Sequence, residues 1–317
     1  MKFGLTNTAA SIVIALAGVS VSSAAIISDD FQTNSALNYN VINDGTPDGT
    51  VNFQFDYVAA GLPLAPRSAA GGGTGLRFTA NDIAPAAVDA YSAFHITPIT
   101  VPQYRVTVDV YMGFLGATGS TEFALIGVGG NGTTTNRLGT GTTPATGQSG
   151  SGSFFGFSGD GGAARDYLWY LDALNSGVGT VSAVAPNISP TYLAGGAGSE
   201  LPLYNSIFPG TTPVNGGFPG SRWTTVDILV DETIGQIEYS IGGTAIIRGS
   251  FTGSLNGRVS LGYADFFTSV AAPAGLVFGI YDNLTVTAVP EPTSLMLLGI
   301  AAVGGISVKL RRRKTVC

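Results

Sequence analysis

The sequence predicts an all-β body, an antiparallel two-sheet sandwich, and three observations carry that expectation. Apolar residues recur with period two rather than 3.6. Gly-, Thr-, Asn- and Pro-rich connections interrupt them at short intervals, with 46 glycines and 16 prolines in 317 residues. No long helical period is visible between residues 26 and 289. Two sheets packed face to face bury alternating strand faces with few exposed edges.

The strands follow in order. Val51, Phe53, Phe55 and Tyr57 alternate with Asn52, Gln54 and Asp56, which gives one buried and one wet face. Leu76–Thr79 and the alternating run Tyr91–Ile96 come next. Tyr104, Val106, Val108, Val110 and Met112 alternate with Arg105, Thr107, Asp109 and Tyr111. Glu122–Val128, Ser153–Phe157 and Tyr167–Leu171 are shorter apolar runs. The clearest unit is a three-strand meander. Val226, Ile228 and Val230 face one way, Asp231–Gly235 connects them to Ile237, Tyr239 and Ile241, and Gly242-Gly243 turns into Thr244–Arg248. Arg258–Tyr263 and Val277–Val286 complete the set. Gly129–Gly152 and Gly195–Gly220 are too polar or too rich in Gly and Pro to order themselves, and are expected as long loops.

Both ends carry signals of another kind. Lys2 precedes an acid-free stretch, apolar from about Ala9 to Val21, and Ser22-Ser23-Ala24-Ala25 supplies the small residues of a signal-peptidase site, with cleavage expected after Ala24 or Ala25. At the other end Pro290-Glu291-Pro292 is followed by an apolar run and then by Lys309, Arg311, Arg312, Arg313 and Lys314. A helix over Thr293–Leu310 would span roughly 27 Å, just enough to cross a bilayer. The cations hold its far end in the cytoplasm. This order of Pro-Glu-Pro, apolar helix and Arg-rich end resembles the PEP-CTERM proteins of Gram-negative bacteria. The resemblance implies processing by a membrane exosortase, with Pro290, Glu291, Pro292, Arg311, Arg312 and Arg313 as sorting residues. The expected organisation is a signal peptide at 1–25, a β-sandwich at 26–289 and a sorting segment at 290–317. The body is then exported, transiently anchored in the inner membrane by its C-terminal helix, and finally placed at the envelope surface or outside the cell.

Composition excludes several functions. Residues 26–289 hold 19 acidic and 8 basic residues, a net charge of −11, so no basic stripe remains to neutralise a nucleic-acid backbone. All of those bases are Arg, which removes amine catalysis by Lys. The one Cys, Cys317, lies beyond the basic stop, so the body has neither thiol nor disulfide. His95 is the one histidine, and its strand-like setting marks an ordinary hydrogen-bonded residue.

A second resemblance rests on Ser221-Arg222-Trp223, Val226–Asp231, Ile237–Gly243, Leu261–Asp265 and Tyr281–Leu284. Together they are similar to a concanavalin A-like or laminin G-like jelly roll, with galactose-binding-like jelly rolls the nearest competitor. Glycosidases occur on the former fold, and they need two carboxyls flanking the scissile bond. No Glu-x-Asp-x-x-Glu pattern is present. Glu232 and Glu238 are separated by a turn and Glu122 stands alone, so solvated edge or turn roles are expected for all of them. Trp169, Tyr170 and Trp223 are candidates to stack on sugar rings, although Tyr167–Tyr170 at strand spacing more often fill a sandwich core or cover its edge. A structural Ca²⁺ is one reading of Asp30, Asp282 and Asn283, because terminal strands of a jelly roll are commonly neighbours and oxygen ligands suit calcium. Asp-Gly pairs elsewhere read as turns. The functional expectation is a non-enzymatic surface or matrix protein, structural or adhesive, with polysaccharide as a partner beside the exosortase and signal peptidase. The alternative is a secreted carbohydrate-active hydrolase.

Overall fold

The computed structural model describes residues 24–44, 48–83, 89–114, 121–137, 149–160, 166–171, 182–183, 191–194, 197–210, 216–265, 270 and 276–290. Among the described residues fifteen strands run in the order β1 (Ala25–Asp29), β2 (Tyr39–Asn43), β3 (Val51–Asp56), β4 (Thr74–Phe78), β5 (Asp89–His95), β6 (Gln103–Gly113), β7 (Glu122–Gly130), β8 (Ser153–Ser158), β9 (Tyr167–Leu171), β10 (Ser182–Ala183), β11 (Trp223–Asp231), β12 (Gln236–Ile241), β13 (Thr244–Ser250), β14 (Arg258–Asp265) and β15 (Phe278–Ala288). A short helix, α1 (Pro202–Ile207), interrupts the second expected loop.

Two antiparallel sheets result. Sheet A has the order β13-β12-β11-β6-β15-β4-β3, with β1 also on β15, and sheet B has the order β10-β9-β8-β7-β14-β5-β2. From β4 to β7 the chain changes sheet at every step, as it does from β14 to β15, so the architecture is an all-β, two-sheet jelly-roll sandwich. The alternation read from the sequence sets the faces. In β11 the residues Val226, Ile228 and Val230 are buried while Asp227 and Leu229 are half-buried. Gly242 and Gly243 take φ of 56° and 78°, the left-handed pair that a two-residue hairpin needs.

The terminal strands are neighbours, as expected: β1 lies on β15 with Asp29 opposite Leu284 and Ala25 opposite Thr287. The β4 contact on the same edge covers Gly279–Tyr281. A bulge between Asp282 and Thr285 separates the two, and there Asn283 adopts φ 54°. Asn tolerates that left-handed conformation better than most residues.

The core between the sheets is aromatic. Tyr281 crosses from sheet A to accept the Leu125 N–H at 2.9 Å and to hydrogen-bond the carbonyl of Gly262 in sheet B. Trp169 of β9 lies against Gly249 of β13, where an added Cβ would meet the indole at 2.0 Å. Its Nε1–H donates to Ser153 Oγ at 2.8 Å, and Ser153 Oγ also bonds the Tyr239 hydroxyl at 2.7 Å. Both sheets and the main core draw on residues between Ala25 and Ala288. The segments expected to form the N-terminal leader and the C-terminal helix and basic tail, including Glu291, Pro292, Arg311, Arg312 and Arg313, lie outside the described residues. Among the described residues no helix is long and apolar enough to cross a membrane.

Candidate functional site

The outer face of sheet A carries a second, smaller apolar cluster. Tyr57, Tyr111, Phe278 and Ile280 are buried there, with Phe55, Leu62 and Trp223 packed on them. Residues 57–73, the connection from β3 to β4, lie across this face. Asp109 of β6 and Asp282 of β15 secure them, and these two are direct cross-strand partners with no solvent exposure.

Every oxygen of the two carboxylates is used. Arg67 donates its Nε to Asp109 Oδ1 and its backbone N–H to Oδ2, both at 3.1 Å, and Thr225 Oγ1 donates to Oδ1 at 2.7 Å. Asn283 Nδ2 reaches Asp109 Oδ2 at 3.0 Å and Ser68 Oγ at 2.9 Å. Asp282 Oδ2 accepts from the Tyr57 and Ser68 hydroxyls at 2.7 Å each, and Oδ1 accepts the Asn283 N–H at 2.7 Å. Burial raises the Asp282 pKa, the hydrogen bonds from Ser68, Tyr57 and Asn283 lower it, and Asp109 adds a repulsive contribution. Burial likewise pushes the Tyr57 phenol up to about 12, with Ser68 lowering it and Asp282 raising it.

The pinned segment builds one wall of a surface cleft of about 430 Å³. Pro66 comes from this segment, Ser206, Ile207 and Phe208 from α1 and its end, Arg222–Thr225 from the start of β11, and Gly242 and Thr244 from the β12–β13 turn. The walls are anchored. Tyr204 of α1 stacks on Tyr167 of β9 at 4.0 Å and 10°. Pro202 at the first helical turn has no N–H to lose there. Trp223 donates its indole N–H to Pro63 O at 2.7 Å and packs edge-on against Tyr57 and Tyr111 at 5.0 and 5.5 Å. It is half-buried, so the indole is held from behind while part of it stays open to the cleft. Ser206, Thr224 and Thr244, Trp223 and Arg222 thus line one opening whose size suits a small ligand or a few sugar units.

The three aromatic candidates separate. Trp223 lines the cleft. Trp169 and Tyr170 are not open stacking platforms: they are 2% and 0% exposed, Trp169 lies between the sheets, and Tyr170 stacks on Phe154 at 4.7 Å. Burial wins because the β8–β9 pair is apolar on both faces.

The three calcium candidates do not converge among the described residues. Asp30 is exposed and its Oδ1 accepts the Gln32 N–H. Asp282 and Asn283 spend their polar atoms under residues 57–73. The bulge turns both into the network with Asp109 rather than toward Asp30, and among the described residues no group of three or more His, Cys, Asp or Glu could hold a metal ion.

The carboxylates tested for hydrolysis hold structural posts. Glu232 Oε1 accepts Ser254 Oγ and the Asn256 N–H at 2.7 and 2.8 Å and also takes the Leu255 N–H. Glu238 pairs with Arg248 across β12 and β13. Glu122, expected from sequence to be solvated, is instead buried, at 2% exposed. It ends a row, since Asp265 faces Asp89 on one side and Glu122 on the other, and all three are buried. Asp89 Oδ2 accepts the N–H groups of Asp48 and Asn81, while Asn81 Nδ2 donates to Asp265. Burial pushes the Asp89 carboxyl up to about 6, those backbone bonds oppose the shift, and Asp44 and Asp48 add to it. His95 accepts the Thr97 N–H on Nδ1 and lies edge-on to Tyr39 at 5.1 Å, an ordinary buried role.

Sequence reasoning missed Arg67, Asp109 and the cleft as a unit. Asp109 reads as the polar half of an alternating strand, and nothing local marks it as covered.

Residues 288–314 match the PEP-CTERM protein-sorting motif. No curated protein matches the sequence at a significant level. Among solved structures, a Bacillus subtilis protein of unknown function with a galectin-like fold is 11% identical, with a TM-score of 0.43, 84% of this chain and 97% of that chain covered. The metal-free carbohydrate recognition domain of Emp46p is 9% identical, with a TM-score of 0.43, 82% and 92% covered. The carbohydrate-binding module CBM66 from Bacillus subtilis is 7% identical, with a TM-score of 0.38, 78% and 96% covered.

Proposed function

We propose that this chain, which carries a PEP-CTERM sorting motif at residues 288–314 and is thereby an export substrate, is a non-enzymatic surface or matrix protein that holds polysaccharide in the Trp223 cleft. In this reading residues 1–25 are a signal peptide removed by signal peptidase, 26–289 are the working sandwich, and 290–317 are a sorting segment. An exosortase-type enzyme processes that segment, with Pro290, Glu291 and Pro292 as its recognition residues and Arg311, Arg312 and Arg313 as the cytoplasmic stop. The inner membrane is a temporary station, and the body ends at the envelope surface or beyond it.

The observation that carries the binding reading is the cleft itself. A half-exposed indole is fixed by Pro63, Tyr57 and Tyr111 beside hydroxyls and a guanidinium. Apolar ring faces of a pyranose pack on such an indole while its hydroxyls meet the polar rim. Pre-fixing the indole keeps the ordering cost of binding low. A structural or adhesive role follows from an acidic, cysteine-free body whose Glu122, Glu232 and Glu238 carboxylates are committed to the fold.

A glycan array probed with the exported chain tests this. Binding to polysaccharide that disappears in Trp223→Ala and persists in Trp169→Phe is the expected result. Cleavage of a bound polysaccharide, lost on replacing Glu122, Glu232 or Glu238, would replace this reading with hydrolysis.

A further inference from the structure

Charge inside the cleft narrows the class of ligand, and this step rests on the binding reading above. The described arginines of the body differ in how they are neutralised. Arg67, Arg105, Arg137 and Arg248 are each paired with a carboxylate. Arg222, like Arg258, has no ion pair among the described residues: its Nη1 donates to Pro209 O at 3.2 Å and its guanidinium lies 5.9 Å from the Phe208 ring centre. Among the described residues that line the cleft there is no Asp or Glu to face it. Thr225, on the cleft floor, directs its hydroxyl hydrogen away from the opening, to Asp109.

The arrangement therefore has a fixed direction. Pro209 and Phe208 hold one edge of the guanidinium, and its remaining N–H donors have no partner among the described residues. Trp223, the next residue in the chain, presents its indole in the same opening. A planar fork of donors matches a carboxylate or sulfate two bonds at a time. Neutral sugars offer hydroxyls, which gain less from a guanidinium than a charged acceptor does.

The body's net charge of −11 opposes an anionic ligand. That repulsion is spread over the surface and is screened within about 8 Å at physiological ionic strength, whereas the guanidinium contact is short and local. Contact therefore outweighs the mean field once salt is present.

We infer that the Trp223 cleft takes an anionic polysaccharide, with the acid group of one residue, a uronate carboxylate or a sulfate ester, on Arg222 and a sugar ring against the Trp223 indole.

Equilibrium binding of the full chain in detergent solution to polygalacturonate, dextran sulfate and neutral dextran tests this, beside Arg222→Gln, Trp223→Ala and an Arg105→Gln control. The expected result is that one polyanion binds roughly tenfold or more tightly than dextran, and that Arg222→Gln removes the preference while Arg105→Gln keeps it. Preference for polygalacturonate assigns a carboxylate, and preference for dextran sulfate assigns a sulfate. If a neutral glycan binds as well as both polyanions and Arg222→Gln changes nothing, the anionic inference falls while the cleft reading stands. Equal losses in Arg222→Gln and Arg105→Gln show diffuse charge attraction and also overturn it. If no glycan, on this panel or on the array, binds a chain whose circular dichroism is native, both fall.

Discussion

Asp109 and Asp282 face each other across β6 and β15 with no solvent exposure, and the segment 57–73 closes over them through Arg67, Ser68 and Tyr57. Like charges placed directly opposite in a sheet are unfavourable on their own. Here one guanidinium and hydrogen bonds from neutral donors occupy all the carboxylate oxygens. The pair thereby fastens the cleft wall instead of serving as an exposed acid and base.

Removing one member should release that wall. Asp109→Ala leaves Arg67 without its carboxylate, and a cost of roughly 2–3 kcal/mol is expected, below the full buried-pair value because the Arg67 side chain is 31% exposed. Urea denaturation reads the loss. In a Trp169→Phe background, acrylamide quenching of Trp223 should rise, because Pro63 no longer holds the indole N–H. Unchanged quenching together with an unchanged midpoint would show that segment 57–73 is fastened by other contacts.

The Asp89 carboxyl makes stability fall with rising pH. Its pKa rises from 3.8 to about 6 on folding, so the folded state holds this proton more tightly than the unfolded chain. The contribution is complete below about pH 4 and is lost as pH rises through about 6, an effect on the order of 3 kcal/mol at most. Buried Asp282 shifts in the same direction. Asp89→Asn should flatten the dependence of the urea midpoint between pH 4 and 7, and a slope identical to that of the parent would count against the assignment.

Two glycines separate crowding from backbone strain. Gly249→Ala places a methyl carbon 2.0 Å from the Trp169 ring and should cost roughly 1–3 kcal/mol by overpacking. Gly243→Ala meets nothing within 4 Å but must adopt φ 78°, at about 1–2 kcal/mol. Thermal melts of the single and double variants with Trp169→Leu check this. The smaller side chain should relieve the first substitution and leave the second untouched.

Tyr281→Phe removes a hydroxyl that serves backbone groups of Leu125 and Gly262 in the opposite sheet. The orphaned buried groups should cost about 1–3 kcal/mol. Hydrogen exchange at the Leu125 amide should accelerate by more than exchange at Ile126, and uniform acceleration along β7 would point to general loosening instead.

Most of the body strands were legible because period-two alternation is a local property: β6 and β11–β13 carry their buried face in their own residues, whereas in β3 a bulge between Asn52 and Phe55 sends Phe53 to the main core and Phe55 and Tyr57 to the second cluster. β2 was not, because Tyr39-Asn40-Val41-Ile42-Asn43 is an edge strand with only Tyr39 buried. α1 is a six-residue helix with one buried residue, Tyr204, and a single turn leaves no helical period to read. Trp223 and Trp169 were both candidate sugar platforms in the sequence, and strand spacing around Trp169 hinted at a core role without showing where Trp223 lies. The difference lies in which sheet face each enters and in what lies across that face.

Composition and neighbours a few residues apart were enough to read the two-sheet β character, the hairpin at Gly242-Gly243 and the sorting motif at residues 288–314. Only long-range packing places Asn283 on Asp109, 174 residues away, sets Arg67 on the same carboxylate, and brings Arg222 and Trp223 to a common cleft. Cross-strand register and the crossing of residues 57–73 over sheet A bring those side chains together. Register is fixed by the burial of the whole sheet face, which no local stretch of sequence encodes.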